Sequence, residues 1–219
     1  AQLNLGLMYQ RGDGCEKNLA KAKEYFEKSA AQGNAQAQLN LGLLLLGGDN
    51  DDKDEATQHL LVAAQQGNVD AMLKLANKYQ QDDDMPNAIK WYAEAASKES
   101  PKGQLELGKI YLNGEGTDVD LDKAEQLLLE AAENGEPEAL LYLGDLYEKK
   151  GEPEKAKEYY QRAANENVPG ANERLGHDSE PSDPYKEHDD EVHAKEIRNE
   201  LPKEIPEDEP GDNENEGEE

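Results

Sequence analysis

The chain of 219 residues is 33% charged, has a mean hydropathy of −1.04 and carries a formal net charge of −27. So few apolar side chains cannot fill one large core, and a thin or extended one is expected. An acidic chain of this kind cannot replace the counterions around a nucleic acid and is repelled by anionic membrane surfaces, and its apolar run at 41–46 is far too short to span a bilayer.

The opening residues, AQLNLG, lack the basic and apolar regions of a signal peptide. They fall inside what should be the first helix of a hairpin, with no polar cap before it, so residue 1 is expected to start a fragment whose array is N-terminally truncated. Cys15 is the only cysteine. It excludes an internal disulfide, favours a reducing, cytoplasmic compartment and reads as a small apolar filler rather than a reactive thiol.

Three landmarks then recur along the chain. The first is Leu-Gly, at Leu5-Gly6, Leu41-Gly42, Leu107-Gly108, Leu143-Gly144 and Leu175-Gly176, with Leu75-Ala76 as a lapse. The second is Ala22, Ala56, Ala88, Ala124 and Ala156, and the third is Ala30, Ala64, Ala96, Ala132 and Ala164. The step from second to third is always 8 residues and from third to the next Gly position always 12, whereas from first to second it is 16, 14, 12, 16 and 12. Two segments of fixed length and one elastic segment describe two packed helices joined by a solvent-facing loop, with nothing packed on the loop tip.

The first unit, LGLMYQRGDGCEKNLAKAKEYFEKSAAQGN (5–34), and the fifth, LGDLYEKKGEPEKAKEYYQRAA (143–164), both place Ala and aromatic residues at helical spacing with Lys and Glu on the other face. The Gly of the first landmark lets the second helix of its pair approach closely. Gly33, Gly67 and Gly135 then fall where a helix must stop. Each unit is a helical hairpin that cannot bury its own apolar face, so the units stack. The pairs Tyr25-Phe26, Trp91-Tyr92 and Tyr159-Tyr160 recur in phase with the hairpin, as core packing requires.

The long units, with L-G-x-x-Y-x-x-G-x-G followed by a variable loop, K-A and A-A-x-x-G, resemble Sel1-like repeats. The short unit at 143–164 is similar to a tetratricopeptide repeat. The resemblance covers residues 1–176, as five hairpins and part of a sixth, and implies an all-α fold: a right-handed α-solenoid of stacked antiparallel helical hairpins. Departures are Ala76 for Gly, Leu45 for Tyr, QQDDDMP for the Gly-rich turn and Glu173 at an apolar place in the last copy.

No constellation of catalytic or metal-binding residues emerges. Counted as calcium loops from Asp49 or Asp118, the sixth and twelfth places hold Asp54 and Leu60 or Lys123 and Leu129, not Gly and a bidentate acid. Gly114 and Gly116 lack the strand and G-K-[ST] of a phosphate cradle. His59, His177, His188 and His193 make no zinc spacing, and Ser29, Ser97 and Ser100 no nucleophile arrangement. No enzyme activity, metal or cofactor is therefore expected. Some Sel1-like proteins are linked to β-lactam binding or hydrolysis, a remote alternative here because their paired cysteines are absent.

What remains is surface. The resemblance implies a protein-protein interaction scaffold whose first helices line a concave groove for a peptide or helix. Positions two and five before and after the Leu of each Leu-Gly should point into it, and among these Leu7, Leu43, Leu46, Asn77, Gln80, Lys102, Lys109, Leu112 and Asp145 are the candidate partner contacts. The apolar members, Leu7, Leu43, Leu46 and Leu112, are the anchors.

From residue 177 onward 18 Asp and Glu stand against 4 Lys and Arg, with five prolines, and this segment is expected to be a disordered acidic tail. Within it EVHAKEIRNEL (191–201) has one apolar edge that could form a helix. The alternative function follows from this composition: an inert repeat spacer presenting an acidic tail to basic partners.

Overall fold

The computed structural model describes residues 1–47 and 53–177, and every regular element among them is an α-helix. In chain order these are α1 (Gln2–Arg11), α2 (Leu19–Ala30), α3 (Ala35–Leu46), α4 (Lys53–Gln65), α5 (Val69–Gln81), α6 (Met85–Ser97), α7 (Pro101–Asn113), α8 (Leu121–Glu133), α9 (Glu138–Lys149), α10 (Pro153–Asn165) and α11 (Ala171–His177). Each packs on its neighbours in sequence, and α7 also touches α9. The first ten helices form five hairpins stacked into a solenoid, and the short α11 lies against α10. The expectations for 178–219, the 191–201 helix among them, and for residues 49–52 of the 49–55 acidic run lie outside the described residues.

Helix starts follow from side-chain chemistry. The carboxamide, carboxylate or hydroxyl oxygens of Asn18, Asn34, Asn68, Asp84, Ser100 and Asp120 each accept a hydrogen bond from the backbone N–H three residues on, which satisfies one of the orphan donors of the first turn. Between hairpins the chain reverses through a residue at positive φ: Gly33, Gly67, Glu99, Gly135 and Asn167. Glu99, at φ 59°, occupies a backbone conformation that three of the other four turns assign to glycine.

The Leu-Gly landmark is a seat. A Cβ on Gly6 would lie 2.5 Å from the Phe26 ring, one on Gly42 or Gly108 would lie 2.9 Å from Leu60 or Leu128, and one on Gly144 would lie 2.2 Å from the Tyr160 ring. Each of those residues stands four places after the second-landmark Ala, on the second helix of the same hairpin, and all four are fully buried. The expectation of close helix approach at this glycine is thus correct, and the group admitted is identified.

Loop elasticity has a definite geometry. The backbone N–H of Asn18, Asp84, Asp120 and Glu152 donates to the carbonyl of Tyr9, Tyr79, Tyr111 and Tyr147 at 2.8, 2.8, 3.0 and 2.8 Å. Long and short loops therefore close on the same bond, from the residue before the second helix to the third residue after the Gly position, however many residues lie between. The expectation that nothing packs on the loop tip fails in the fourth hairpin. There a Cβ on Gly116 would lie 2.3 Å from the Met85 side chain, so this loop rests on the start of α6. Around Gly14 of the first loop the space is open. Cys15 is a half-exposed loop residue whose thiol faces the Met8 carbonyl at 3.7 Å, not a core filler.

The core runs as three clusters along the stack. One holds Ala22, Phe26, Leu41 and Leu45, the next Leu60, Leu75, Trp91 and Tyr92, and the last Leu105, Leu112, Leu128, Leu143, Leu146 and Tyr160. This is the thin, distributed core that the composition requires.

Candidate partner-binding face

The first helices α1, α3, α5, α7 and α9 each present accessible side chains. On α7 these are Lys102, Glu106, Lys109 and Asn113, and on α9 Glu138, Tyr142, Asp145 and Lys149. Polar contacts stitch the two helices across this surface. Lys102 Nζ lies 3.2 Å from Glu106 and 3.7 Å from Glu138, and Lys109 Nζ lies 2.9 Å from Glu106 and 5.2 Å from the centroid of the Tyr142 ring. Lys149 Nζ donates to the Leu112 carbonyl at 3.0 Å. Burial opposes charge on Lys102 and Lys109, but the hydrogen bond and negative charge of Glu106 outweigh it and hold both ammonium groups above their usual range.

The exposed stripe is rotated from the expected one. On α7 the accessible positions run 102, 106, 109 and 113, while Leu105 and Leu112 are 0% and 1% exposed. Leu112 is therefore a core residue and not a groove anchor. It belongs to the cluster containing Leu146 and Tyr147, and burial there removes the surface a partner would need. At the corresponding place one hairpin pair earlier Leu46 is 39% exposed. Leu43 and Leu7 are half-buried on the face, each leaning on a core cluster. Lys102 is exposed and Lys109 half-buried. Positions missed by the sequence reading are Lys74, Glu106, Tyr142 and Lys149.

Asn77, Gln80 and Asp145 have work inside the fold. The Tyr92 hydroxyl donates to Asn77 Oδ1 at 2.8 Å or to Gln80 Oε1 at 2.9 Å, and the Tyr160 hydroxyl donates to Asp145 Oδ1 at 2.8 Å. Arg174 Nη1 also donates to Asp145 Oδ1, at 2.7 Å. A phenol whose ring is fully buried needs an acceptor at its tip, and the residue after the Gly position of the same hairpin supplies it. The pairing holds through the array. Where the seated residue is Phe26, Leu60 or Leu128, the residue after the Gly is Leu7, Leu43 or Lys109; where it is Tyr92 or Tyr160, that residue is Asn77 or Asp145. Five in-phase copies carry this signal in the sequence itself. Burial pushes the Tyr92 phenol upward, and burial with the hydrogen bond to Asp145 does the same for Tyr160.

Among the described residues no group of three or more His, Cys, Asp or Glu side chains could hold a metal ion, and no helix is long and apolar enough to cross a membrane.

The Sel1 repeat matches residues 1–34, 35–68, 69–100 and 101–136, and the tetratricopeptide repeat matches 137–167. An uncharacterized protein of Neisseria meningitidis serogroup B is 32% identical over 176 residues, 76% of this chain and 37% of its own length. A sel1-like repeat-containing protein of Acanthamoeba polyphaga mimivirus is 34% identical over 124 residues, 55% of this chain and 23% of its own. The chain thus spans 37% and 23% of the length of these curated relatives. Among solved structures, a Sel1 repeat protein from Oxalobacter formigenes superposes with a TM-score of 0.69 at 28% identity, over 94% of this chain and 86% of that one. The c5321 protective antigen of uropathogenic Escherichia coli, with an SLR fold, gives a TM-score of 0.69 at 22% identity, over 95% of this chain and 50% of that one, which shows the fold alone. Repeats of this fold generally mediate protein-protein interactions, and the family is typically non-catalytic. With four matched repeats across residues 1–136 on a stack of seated hairpins, the chain belongs to the Sel1 repeat family.

Proposed function

We propose that this chain is a non-enzymatic scaffold that holds a peptide or helix of a partner protein against its first helices. Leu7, Leu43 and Leu46 are the apolar anchors, with Lys102 and Lys109 beside them as polar contacts. The observation that carries the reading is Leu43, an apolar side chain left half-accessible on the first-helix face, in a hairpin whose seated Leu60 asks nothing of it. Asn77, Gln80 and Asp145 take a smaller part, because their acceptor oxygens are engaged by tyrosine hydroxyls or Arg174.

The test compares partners captured by the full chain, by residues 1–177 and by Leu43→Glu, with circular dichroism confirming that each is folded. A partner retained by 1–177 and lost with Leu43→Glu supports the scaffold. The acidic composition of 178–219 favours a second reading, capture of basic partners by that segment, which predicts the reverse pattern.

A further inference from the structure

The junctions between successive second helices are not equivalent. In the second hairpin Gln38 Oε1 on α3 meets His59 Nδ1 on α4 at 2.7 Å; in the fourth, Gln104 on α7 donates to Glu130 on α8 at 3.0 Å and accepts from Asn134 just after it at 3.0 Å. The place of Gln38 and Gln104, four residues before the Gly position, is held in the second and fourth junctions by Met72 and Leu140. Neither side chain can make such a polar contact, and a cavity lies beside each. The one at the second junction has a volume of about 290 Å³ beside Trp91. The one at the fourth, between α8 and α10, has about 620 Å³ and is lined by Leu129, Ala132, Leu140, Tyr159 and Arg162.

A further cavity of about 430 Å³, lined by Leu141, Tyr142, Val168 and Pro169, lies on the first-helix side of the same loop. The two cavities share Pro137 and Glu166, so they flank one edge where the fourth and fifth hairpins meet. Their combined size is in the range of sites that take several side chains. The edge is acidic. Among the described residues Glu133, Glu136 and Glu166 line it with no ion-pair partner in contact, and the one cation lining the larger cavity, Arg162, lies 5.1 Å from the centroid of the Tyr159 ring.

From this we infer a second docking surface, at the loop edge between α8 and α9, for a partner-protein segment that presents apolar side chains flanked by Lys or Arg. Apolar side chains enter the two cavities while the flanking cations meet Glu133, Glu136 and Glu166, and an acidic segment is repelled. The surface is separate from the Leu43 region and does not rest on the reading given for it.

The probe is the acetylated, amidated peptide Lys-Lys-Leu-Lys-Lys-Leu-Lys-Lys, titrated into the full chain, with Leu-to-Ser and Lys-to-Glu versions as controls. Ala132→Leu, which fills the larger cavity without changing charge, is expected to weaken the leucine peptide roughly tenfold or more. The triple variant Glu133→Lys, Glu136→Lys, Glu166→Lys, at accessible positions that spare the core, is expected to do the same. Leu43→Glu should leave this binding unchanged. The proposal is overturned if Ala132→Leu, shown folded by circular dichroism, binds as tightly as the native chain, or if the serine peptide binds as well as the leucine peptide, since either result reduces the effect to net charge. Equal binding of the Lys-to-Glu peptide would overturn the partner's chemistry. Should Ala132→Leu fail to fold, the triple variant and the serine peptide still decide.

Discussion

Hairpins α5–α6 and α9–α10 seat a tyrosine against the Gly position, whereas α1–α2, α3–α4 and α7–α8 seat Phe26, Leu60 and Leu128. The two tyrosine hairpins are also the two with the short step from first to second landmark. Both kinds keep the hydrogen bond at the loop base in each loop described. What differs is the demand placed on the first-helix face. A seated tyrosine requires an acceptor there, so Asn77 and Asp145 are structural; an apolar seat requires none and places no such demand on Leu7, Leu43 and Lys109.

The largest expected effects come from breaking the seat. Gly144→Leu drives a side chain into the Tyr160 ring and should destabilise by about 3 kcal/mol or more in urea unfolding. Gly144→Ala should cost less, because the third hairpin holds Ala76 opposite Tyr92. Leu41→Glu, which places a charge at a position 1% exposed, belongs in the same class, while Leu43→Glu on the half-exposed face should cost about 1 kcal/mol. Equal losses from those two leucines would return Leu43 to the core and end its role as an anchor.

Next comes alkaline pH. The Tyr92, Tyr147 and Tyr160 phenols are held above the ordinary tyrosine value, Tyr92 and Tyr160 chiefly by burial and Tyr147 chiefly by its hydrogen bond to Glu125. The unfolded chain therefore releases these protons first, from about pH 10 upward. Stability should be level below that pH and fall as pH rises through it, because the folded state then binds more protons than the unfolded state. Tyr92→Phe with Tyr160→Phe should flatten the fall, and neither change should alter the profile near neutrality.

Smaller effects separate the loops. Two residues inserted after Gly14, in open space, should cost under about 1 kcal/mol, since doubling a flexible loop adds only ~0.6 kcal/mol of closure entropy. The same insertion after Gly116 should cost more, because that loop rests on Met85. Smallest and opposite in sign, Glu99→Gly should raise stability by up to about 1 kcal/mol by relieving a left-handed backbone at a non-glycine residue. Thermal unfolding of the three variants gives the order directly.

The hairpins, the close approach at Leu-Gly and the variable loop were legible because they repeat, and repetition filters local packing out of a single sequence. The register of the exposed face was not. Positions 105 and 106 of α7 lie on adjacent sides of one helix, and which is covered depends on the neighbouring first helix rather than on α7's own periodicity. Leu112 was misplaced for the same reason, since its cover comes from the cluster with Leu146, on the next first helix. The contact of Gly116 with Met85 joins residues from two different hairpins and leaves no periodic trace. The Tyr92–Asn77 and Tyr160–Asp145 partnerships, by contrast, were present in the five aligned copies and required only that the seat and the residue after the Gly be read together.

A double-mutant cycle on Asn77 and Tyr92, followed by urea unfolding, tests most directly whether the seat decides what the face must supply. Asn77→Leu alone removes one acceptor and places an apolar group over a buried hydroxyl, and should cost about 1–3 kcal/mol. Tyr92→Phe alone should cost about 1 kcal/mol. The double variant recreates the Leu7–Phe26 pair of the first hairpin and should recover much of the loss, with a coupling of about 1 kcal/mol or more. Simple additivity of the two losses would contradict the account and show that Asn77 is no more tied to the fold than Leu43.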